Sequence, residues 1–334
     1  MTKANLDKFL EYLQKKHEIF APVRDGQELY VKKIDELKEI DFSAQIPINT
    51  FKEVLLPSRE VLFYYEQGKL KEAKEASKPQ CAFGMSIMDL DAVGLFHQVF
   101  EKDAYYQEKR QKTLLIGQAF FDKAGFAGHL RETYEENILE HILFDILLVK
   151  ASPKEWKVFT GSRLGQRTLD DFGYKTYEHI QFEGLIREEG PDPMMPVLKK
   201  KVESTYGQKI WDYWGNRCLA CGKCAINCPT CFCFNLSDEQ DSKHRKKGQR
   251  IREWTTCFYN DFSEIGGSFK FLDSKAKRIY NWYCHKWVRI PKEFSMIGCV
   301  NCGRCDKVCP VGIKRENVFK SLDKPEQVKP DKED

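Results

Sequence analysis

Two stretches of this 334-residue sequence repeat one another in cysteine. Cys218, Cys221, Cys224 and Cys228, followed by Pro229, are matched by Cys299, Cys302, Cys305 and Cys309, followed by Pro310. Both read C-x2-C-x2-C-x3-C-P, with Gly222 or Gly303 after the second cysteine. Three thiolates three residues apart converge on three corners of one inorganic iron–sulfide cube if the chain wraps it in a tight loop. The glycine supplies the φ freedom such a loop needs and lets backbone N–H groups approach the sulfurs. A short helix then carries the fourth cysteine away, and the proline stops the run and turns the chain.

This is the bacterial-ferredoxin spacing, in which the fourth cysteine of each run ligates the other cluster. It predicts two [4Fe–4S] clusters. Cys218, Cys221, Cys224 and Cys309 hold one; Cys299, Cys302, Cys305 and Cys228 hold the other. The competing reading is a pair of zinc sites, but zinc is usually held by two C-x2-4-C knuckles, and here each unit supplies three close cysteines and a fourth before proline. Cys231, Cys233, Cys257 and Cys284 are left over. They are read as small buried residues packed around the cubes, with a third cluster as the alternative. Cys81, alone in the first two thirds of the chain, is read as core.

The insert from Thr230 to Gly298 is rich in aromatics, among them Phe232, Trp254, Phe258, Trp282, Tyr283 and Trp287. A dry shell over the clusters and a docking surface for a partner are both open, because burial and hydrogen bonds to sulfur tune cluster potential. The basic run Lys243–Lys247, with Arg250 and Arg252, is read as a solvated loop, the alternative being steering of an acidic redox partner. No G-x-G-x-x-G, P-loop, G-x-S-x-G or H-E-x-x-H motif is present. The chain thus shows a means of passing electrons and no evident place for substrate chemistry.

The rest of the chain must position these loops. Lys and Arg total 54 against 50 Asp and Glu, a net charge of +4. So balanced a surface gives no polyanion-binding signal, and no nucleic-acid partner is expected. The N-terminus MTKANLDKFLEYLQKKHEIF lacks an apolar h-region, which predicts no signal peptide and a cytoplasmic protein. Dense cysteines in such a chain point to metal rather than disulfides. Ile138–Val149, the greasiest stretch, holds Glu140, His141 and Asp145 and is too short for a membrane span; it reads as a buried helix over about 134–149.

Leu6, Phe9, Leu10 and Leu13 predict an amphipathic helix over 2–16, capped by Thr2 or Asn5. Strands are predicted at 19–24, 28–31, 61–65, 82–85, 113–117 and 156–160, with a helix near 89–100 and a helical stretch over 200–216. The expected fold class is α+β. A mixed α/β scaffold or interaction domain with a central sheet (1–186) precedes a linker (187–204), a ferredoxin-like two-cluster domain with a long insert (205–321) and a polar tail (322–334).

The segments KIWDYWGNRCLACGKCAINCPTCFCF, REWTTCFYNDFSEIGGSFKF and GCVNCGRCDKVCPVGIKREN resemble the family that unites the sulfhydrogenase beta subunit with an iron–sulfur subunit of anaerobic sulfite reductase. FAP near Phe20, LPSREVLFYY, and the Phe83, Gly84, Asp89 pattern extend the resemblance more weakly over the N-terminal part. It implies an iron–sulfur subunit that relays electrons between a flavin-containing subunit meeting NAD(P)H or ferredoxin and a catalytic subunit such as a hydrogenase or sulfite reductase. A heterodisulfide-reductase-like subunit, with substrate chemistry at a special cluster near the four leftover thiols, is the alternative. Several members carry further N-terminal cysteines for a third cluster. Here those positions fall near Met88, Phe120, Phe126 and Gly128, which implies that this chain keeps the domain without that cluster.

Overall fold

The computed structural model describes residues 1–43, 45–73, 78–120, 136–186, 190, 192–244 and 246–323. Helix α1 (Lys3–Lys16) is followed by strands β1 (Glu18–Asp25) and β2 (Glu28–Lys33), the short helix α2 (Lys52–Leu55) and strands β3 (Arg59–Glu66), β4 (Lys69–Glu72) and β5 (Gln80–Met85). Next come helices α3 (Ile87–Val99) and α4 (Ala104–Gln111), strands β6 (Thr113–Phe120), β7 (Ile146–Ser152) and β8 (Glu155–Thr160), helix α5 (Arg163–Phe172) and strand β9 (Glu178–His179). Among the described residues these strands build a seven-stranded sheet in the order β2-β1-β5-β6-β7-β8-β9. Its centre, β1-β5-β6-β7, is parallel, and β2 and β8 pair antiparallel at either side of it.

Alternation along the strands separates two cores. Cys81, Phe83, Leu114, Ile116, Ile146 and Leu148 face α1 and α5, while Ala82, Leu115, Leu147 and Val149 face α2 and α3. α1 forms where its pattern placed it, burying Leu6, Phe9, Leu10 and Leu13, with Thr2 Oγ1 accepting from Asn5 N at 3.3 Å. The expected helix over 134–149 is corrected. Glu136–His141 is a 3-10 turn and Ile146–Ser152 is strand β7. A sheet strand buried on both faces carries a continuous apolar run, which periodicity alone does not separate from a buried helix.

The second half contains helices α6 (Met194–Glu203), α7 (Ile210–Arg217) and α8 (Lys223–Ile226), strands β10 (Phe234–Gln240) and β11 (Lys247–Trp254), and the small hairpin β12 (Glu264–Ile265) and β13 (Phe269–Lys270). Helix α9 (Lys275–Cys284) runs through a π turn at His285–Arg289 into α10 (Ile290–Phe294); α11 (Arg304–Val308) and α12 (Arg315–Leu322) follow. The segment expected as a linker thus holds α6, whose Val202 is fully buried.

The basic run holds the solvated loop expected of it: Lys243, His244 and Lys246 are exposed. Its described residues turn between β10 and β11, which join β3 and β4 in a second, antiparallel sheet ordered β10-β11-β3-β4. Arg250 is paired with Asp238 and Lys247 with Glu66, each at 2.5 Å. Arg252, 2% exposed, donates to Glu60 at 2.5 Å and to Asp103 at 2.6 Å. Charges neutralised across a sheet in this way have little left for steering a distant partner.

Another ion pair between the halves is buried. Arg304 on α11 donates to both carboxylate oxygens of Asp89 on α3, at 2.7 and 2.9 Å, and to Pro47 O at 2.8 Å. Both partners are 2% exposed, so removing one strands a charge in the interior. Asp89→Ala is expected to cost about 3–5 kcal/mol, read as a lowered denaturation midpoint with its m-value; a change under about 0.5 kcal/mol would place this pair among the energetically idle contacts.

Candidate iron–sulfur centre

The two cysteine loops have the same backbone. Ala220 and Gly222 have φ of +53° and +74°; Asn301 and Gly303 have +55° and +73°. Left-handed residues at both matched positions curl each loop inward, and Gly222 and Gly303 then serve as N-caps of α8 and α11. The φ freedom expected of the two glycines is what the loops use, and the left-handed Ala220 and Asn301 are an addition the spacing did not reveal.

The loops converge crosswise. Cys218 sits close enough to Cys221 and Cys309 for their charges to act on it, and Cys224 feels Cys305 first, then Cys218, Cys257 and Cys228. Cys218, Cys221, Cys224 and Cys309 line one cavity that opens to the surface between Leu219 and Val311. In the other set Cys302 feels Cys228, and Cys305 feels both Cys299 and Cys228. Cys305 also lines the wall of the first cavity, so the two sets abut.

Burial, reinforced by neighbouring sulfurs, raises the thiol pKa values of Cys218, Cys224 and Cys305. Burial likewise pushes Cys302 up to about 11. Sulfurs packed this way give up their protons only where a metal core takes the negative charge. The N–H groups of Ala220 and Ile313 donate to Cys218 Sγ and Cys309 Sγ at 3.3 and 3.2 Å, as cluster sulfurs require. The residues present therefore fit the groups expected from the spacing.

Three cations, two of them fully buried, stand against the second set, and sequence reasoning missed all of them. Lys286 Nζ donates to Cys228 Sγ at 3.2 Å and to Thr230 Oγ1 and Gly298 O at 2.8 Å each. Burial would strip its proton, but Cys228, Cys231 and Cys299 hold the proton on, and its pKa lies above the ordinary lysine value. Arg315 Nη1 donates to Cys299 Sγ at 2.9 Å while its guanidinium meets Asp306 at 3.3 Å. Arg304, held by Asp89, bonds Cys302. The signal for Lys286 was available: a lysine between Trp282, Tyr283 and Trp287 stands in a segment otherwise dressed for the interior. The π turn swings it toward the cysteines, a use typical of such turns.

Lys52 is a further buried lysine, 5% exposed, donating to Ile226 O at 3.0 Å and Cys231 O at 3.1 Å, with its Nζ 3.9 Å from the Trp254 ring; burial pushes its pKa below the ordinary lysine value. It ties α2 to the first cysteine loop. The four leftover thiols pack around these sets. Cys231 shares a hydrogen bond with Cys228, Cys257 N–H donates to Cys233, Cys257 contacts Asn281 and Thr256, and Cys284 pairs with Tyr280. Phe258, Trp282, Tyr283 and Trp287 are buried around them, forming the dry shell, whereas Phe269 and Phe271 of the same insert lie exposed. Of the positions matched to the relatives' extra cysteines, Met88 lies buried in α3; Phe126 and Gly128, and the side chain of Phe120, lie outside the described residues.

The two loop glycines differ in surroundings. A Cβ on Gly222 would come within 2.6 Å of Thr256 and 2.8 Å of Tyr259, whereas one on Gly303 meets nothing within 4 Å. Gly303→Ala is expected to cost about 1–2 kcal/mol for its left-handed backbone. Gly222→Ala adds a clash to the same strain and is expected to cost more and to lower iron content. Thermal unfolding with iron quantification checks this; equal effects would remove the packing argument.

Comparison with known proteins identifies the segment that carries both loops. Residues 217–313 match the family described as a 4Fe-4S dicluster domain. Over 93% of this chain and 94% of its own, the Sulfhydrogenase 2 subunit beta of Pyrococcus furiosus is 23% identical. The F420-dependent formate dehydrogenase subunit beta of Methanocaldococcus jannaschii is 27% identical over 44% of this chain, which spans about a third (35%) of that protein. No solved structure matches. The chain carries a 4Fe–4S dicluster domain at 217–313 and is similar, over nearly its whole length, to a sulfhydrogenase beta subunit, the iron–sulfur subunit resemblance its motifs had suggested.

Proposed function

We propose that this chain is an electron-transfer subunit holding two [4Fe–4S] clusters, one on Cys218, Cys221, Cys224 and Cys309 and one on Cys299, Cys302, Cys305 and Cys228. What supports the reading is the matched left-handed backbone of the two loops and the nearness of Cys309 to Cys218 and of Cys228 to Cys302. Bound there, the clusters supply one-electron carriers. The chain's own residues shape the loops, exclude water with the tryptophans and fix the charge around the sulfurs.

In this reading the donor and acceptor are other subunits: a flavin-containing reductase subunit, linked to NAD(P)H or ferredoxin, and a catalytic subunit such as a hydrogenase or sulfite reductase. The names of the relatives, subunits of a sulfhydrogenase and of a formate dehydrogenase, support an assembly of this kind. Cys221 is exposed at the mouth of the first cavity beside exposed Leu219 and Val311, an apolar rim suited to a docked partner. The reading places the complex in the cytoplasm. No helix among the described residues is long and apolar enough to cross a membrane.

An oxygen-protected preparation is expected to contain about eight irons and eight acid-labile sulfides per chain, and to give EPR signals on reduction. Colourless, zinc-loaded protein would end the proposal. The heterodisulfide-reductase-like alternative places chemistry at the leftover thiols. Cys233→Ala with Cys257→Ala is expected to leave both iron content and electron transfer near wild type; loss of turnover with the irons retained would favour the alternative.

A further inference from the structure

The two ligand sets are matched in spacing and unmatched in charge. Around Cys228, Cys299 and Cys302 stand Lys286, Arg315 and Arg304. Asp89 balances Arg304 and Asp306 balances Arg315. The other two acceptors of Lys286 are neutral oxygens, Thr230 Oγ1 and Gly298 O, and the residue is 2% exposed. Lys52 also reaches Cys228, but burial lowers its pKa; Lys286 therefore places a positive charge with no carboxylate partner beside this set, shielded from water and salt.

The other set has no buried lysine against it, although Arg315 and its partner Asp306 also line its cavity. Cys218 and Cys309 accept from backbone N–H groups of Ala220 and Ile313, which are neutral. Lys275, whose charge reaches Cys218, is exposed. Lys223 occupies the position in the first repeat that Arg304 occupies in the second, and it too is exposed. Solvent screens both. A buried positive charge favours the more negative, reduced form of a neighbouring centre and so raises its potential.

We propose that Lys286 holds the cluster on Cys228, Cys299, Cys302 and Cys305 at a higher potential than the cluster on Cys218, Cys221, Cys224 and Cys309, so that the chain favours electron flow inward from its surface-facing site. The proposal rests on the two-cluster reading above. In each transfer one electron leaves the surface-facing centre and is taken up by the inner one; no bond breaks and no proton moves. The flavin-containing donor subunit of that reading would then meet the Leu219–Val311 rim, and the inner site would lead to the acceptor.

The test is an EPR-monitored redox titration of the full chain with both clusters loaded, using Cys302→Ser to perturb and so label the signal of the inner site. Wild type is expected to show two midpoints, the higher one belonging to the signal that Cys302→Ser alters. Lys286→Met is expected to change the oxidised-to-reduced ratio of that site alone by at least tenfold at fixed poise, about 59 mV for a one-electron couple, toward lower potential. Lys286→Arg is expected to restore it. Where Lys286→Met loses iron, Lys286→Gln carries the same expectation.

Coincident midpoints, a lower potential on the labelled site, or a Lys286→Met effect that falls on both sites or neither would overturn the proposal. A wild-type chain that holds far fewer than about eight irons would instead overturn the two-cluster reading, and the iron count precedes every titration.

Discussion

Eight sulfurs gathered within one small domain cannot shed their protons side by side unless positive charge is built in among them. Removing even one ion from water costs several kcal/mol after relaxation. In the two-cluster reading iron would supply most of the compensation, and the protein supplies the rest through N–H groups aimed at Cys218 and Cys309 and through Lys286, Arg315 and Arg304 at the other set. The remaining architecture follows from having to hold those donors still in a dry place. Left-handed turns curl the loops, the π turn presents Lys286, and the tryptophans close the space around them.

The N-terminal sheet has a direct part in this. Asp89 at the start of α3 fixes the guanidinium of Arg304, the residue between Gly303 and Cys305, and Lys52 on α2 binds two carbonyls of the first loop. The hairpin β3–β4 completes the sheet whose other half, β10–β11, leaves the first loop directly. Deleting the first half would therefore remove ligand-positioning partners from the second as well as an interface. A scaffold that has no cluster cysteine at Met88 still has reason to be retained.

The same logic separates the faces of the insert. Where its aromatics pack on the cysteine loops, as Phe258, Trp282 and Trp287 do, they exclude water and keep electrostatic interactions strong. Where they project from the short hairpin, as Phe269 and Phe271 do, they are exposed and available to another surface. One compositional signal thus carried two structural outcomes, and only the path of the chain distinguishes them.

Read alone, the sequence determined the dicluster character, the need for glycine after the second cysteine, helix α1 and most strands of the central sheet. Each of these is a local property: ligand spacing, φ freedom or a short period of apolar residues. Tertiary structure decided what depends on neighbours distant along the chain. It made Ile146–Ser152 a strand, because a parallel partner on one side, an antiparallel one on the other and cores on both faces suit an apolar run that a helix would also accept. It paired Lys247, Arg250 and Arg252, at and beyond the end of the basic run, with Glu66, Asp238 and Glu60. It also buried Arg304 while leaving Lys223, its counterpart in the repeat, in water. Charge in a folded protein acts through burial and distance, and neither is written in the spacing of residues along the chain.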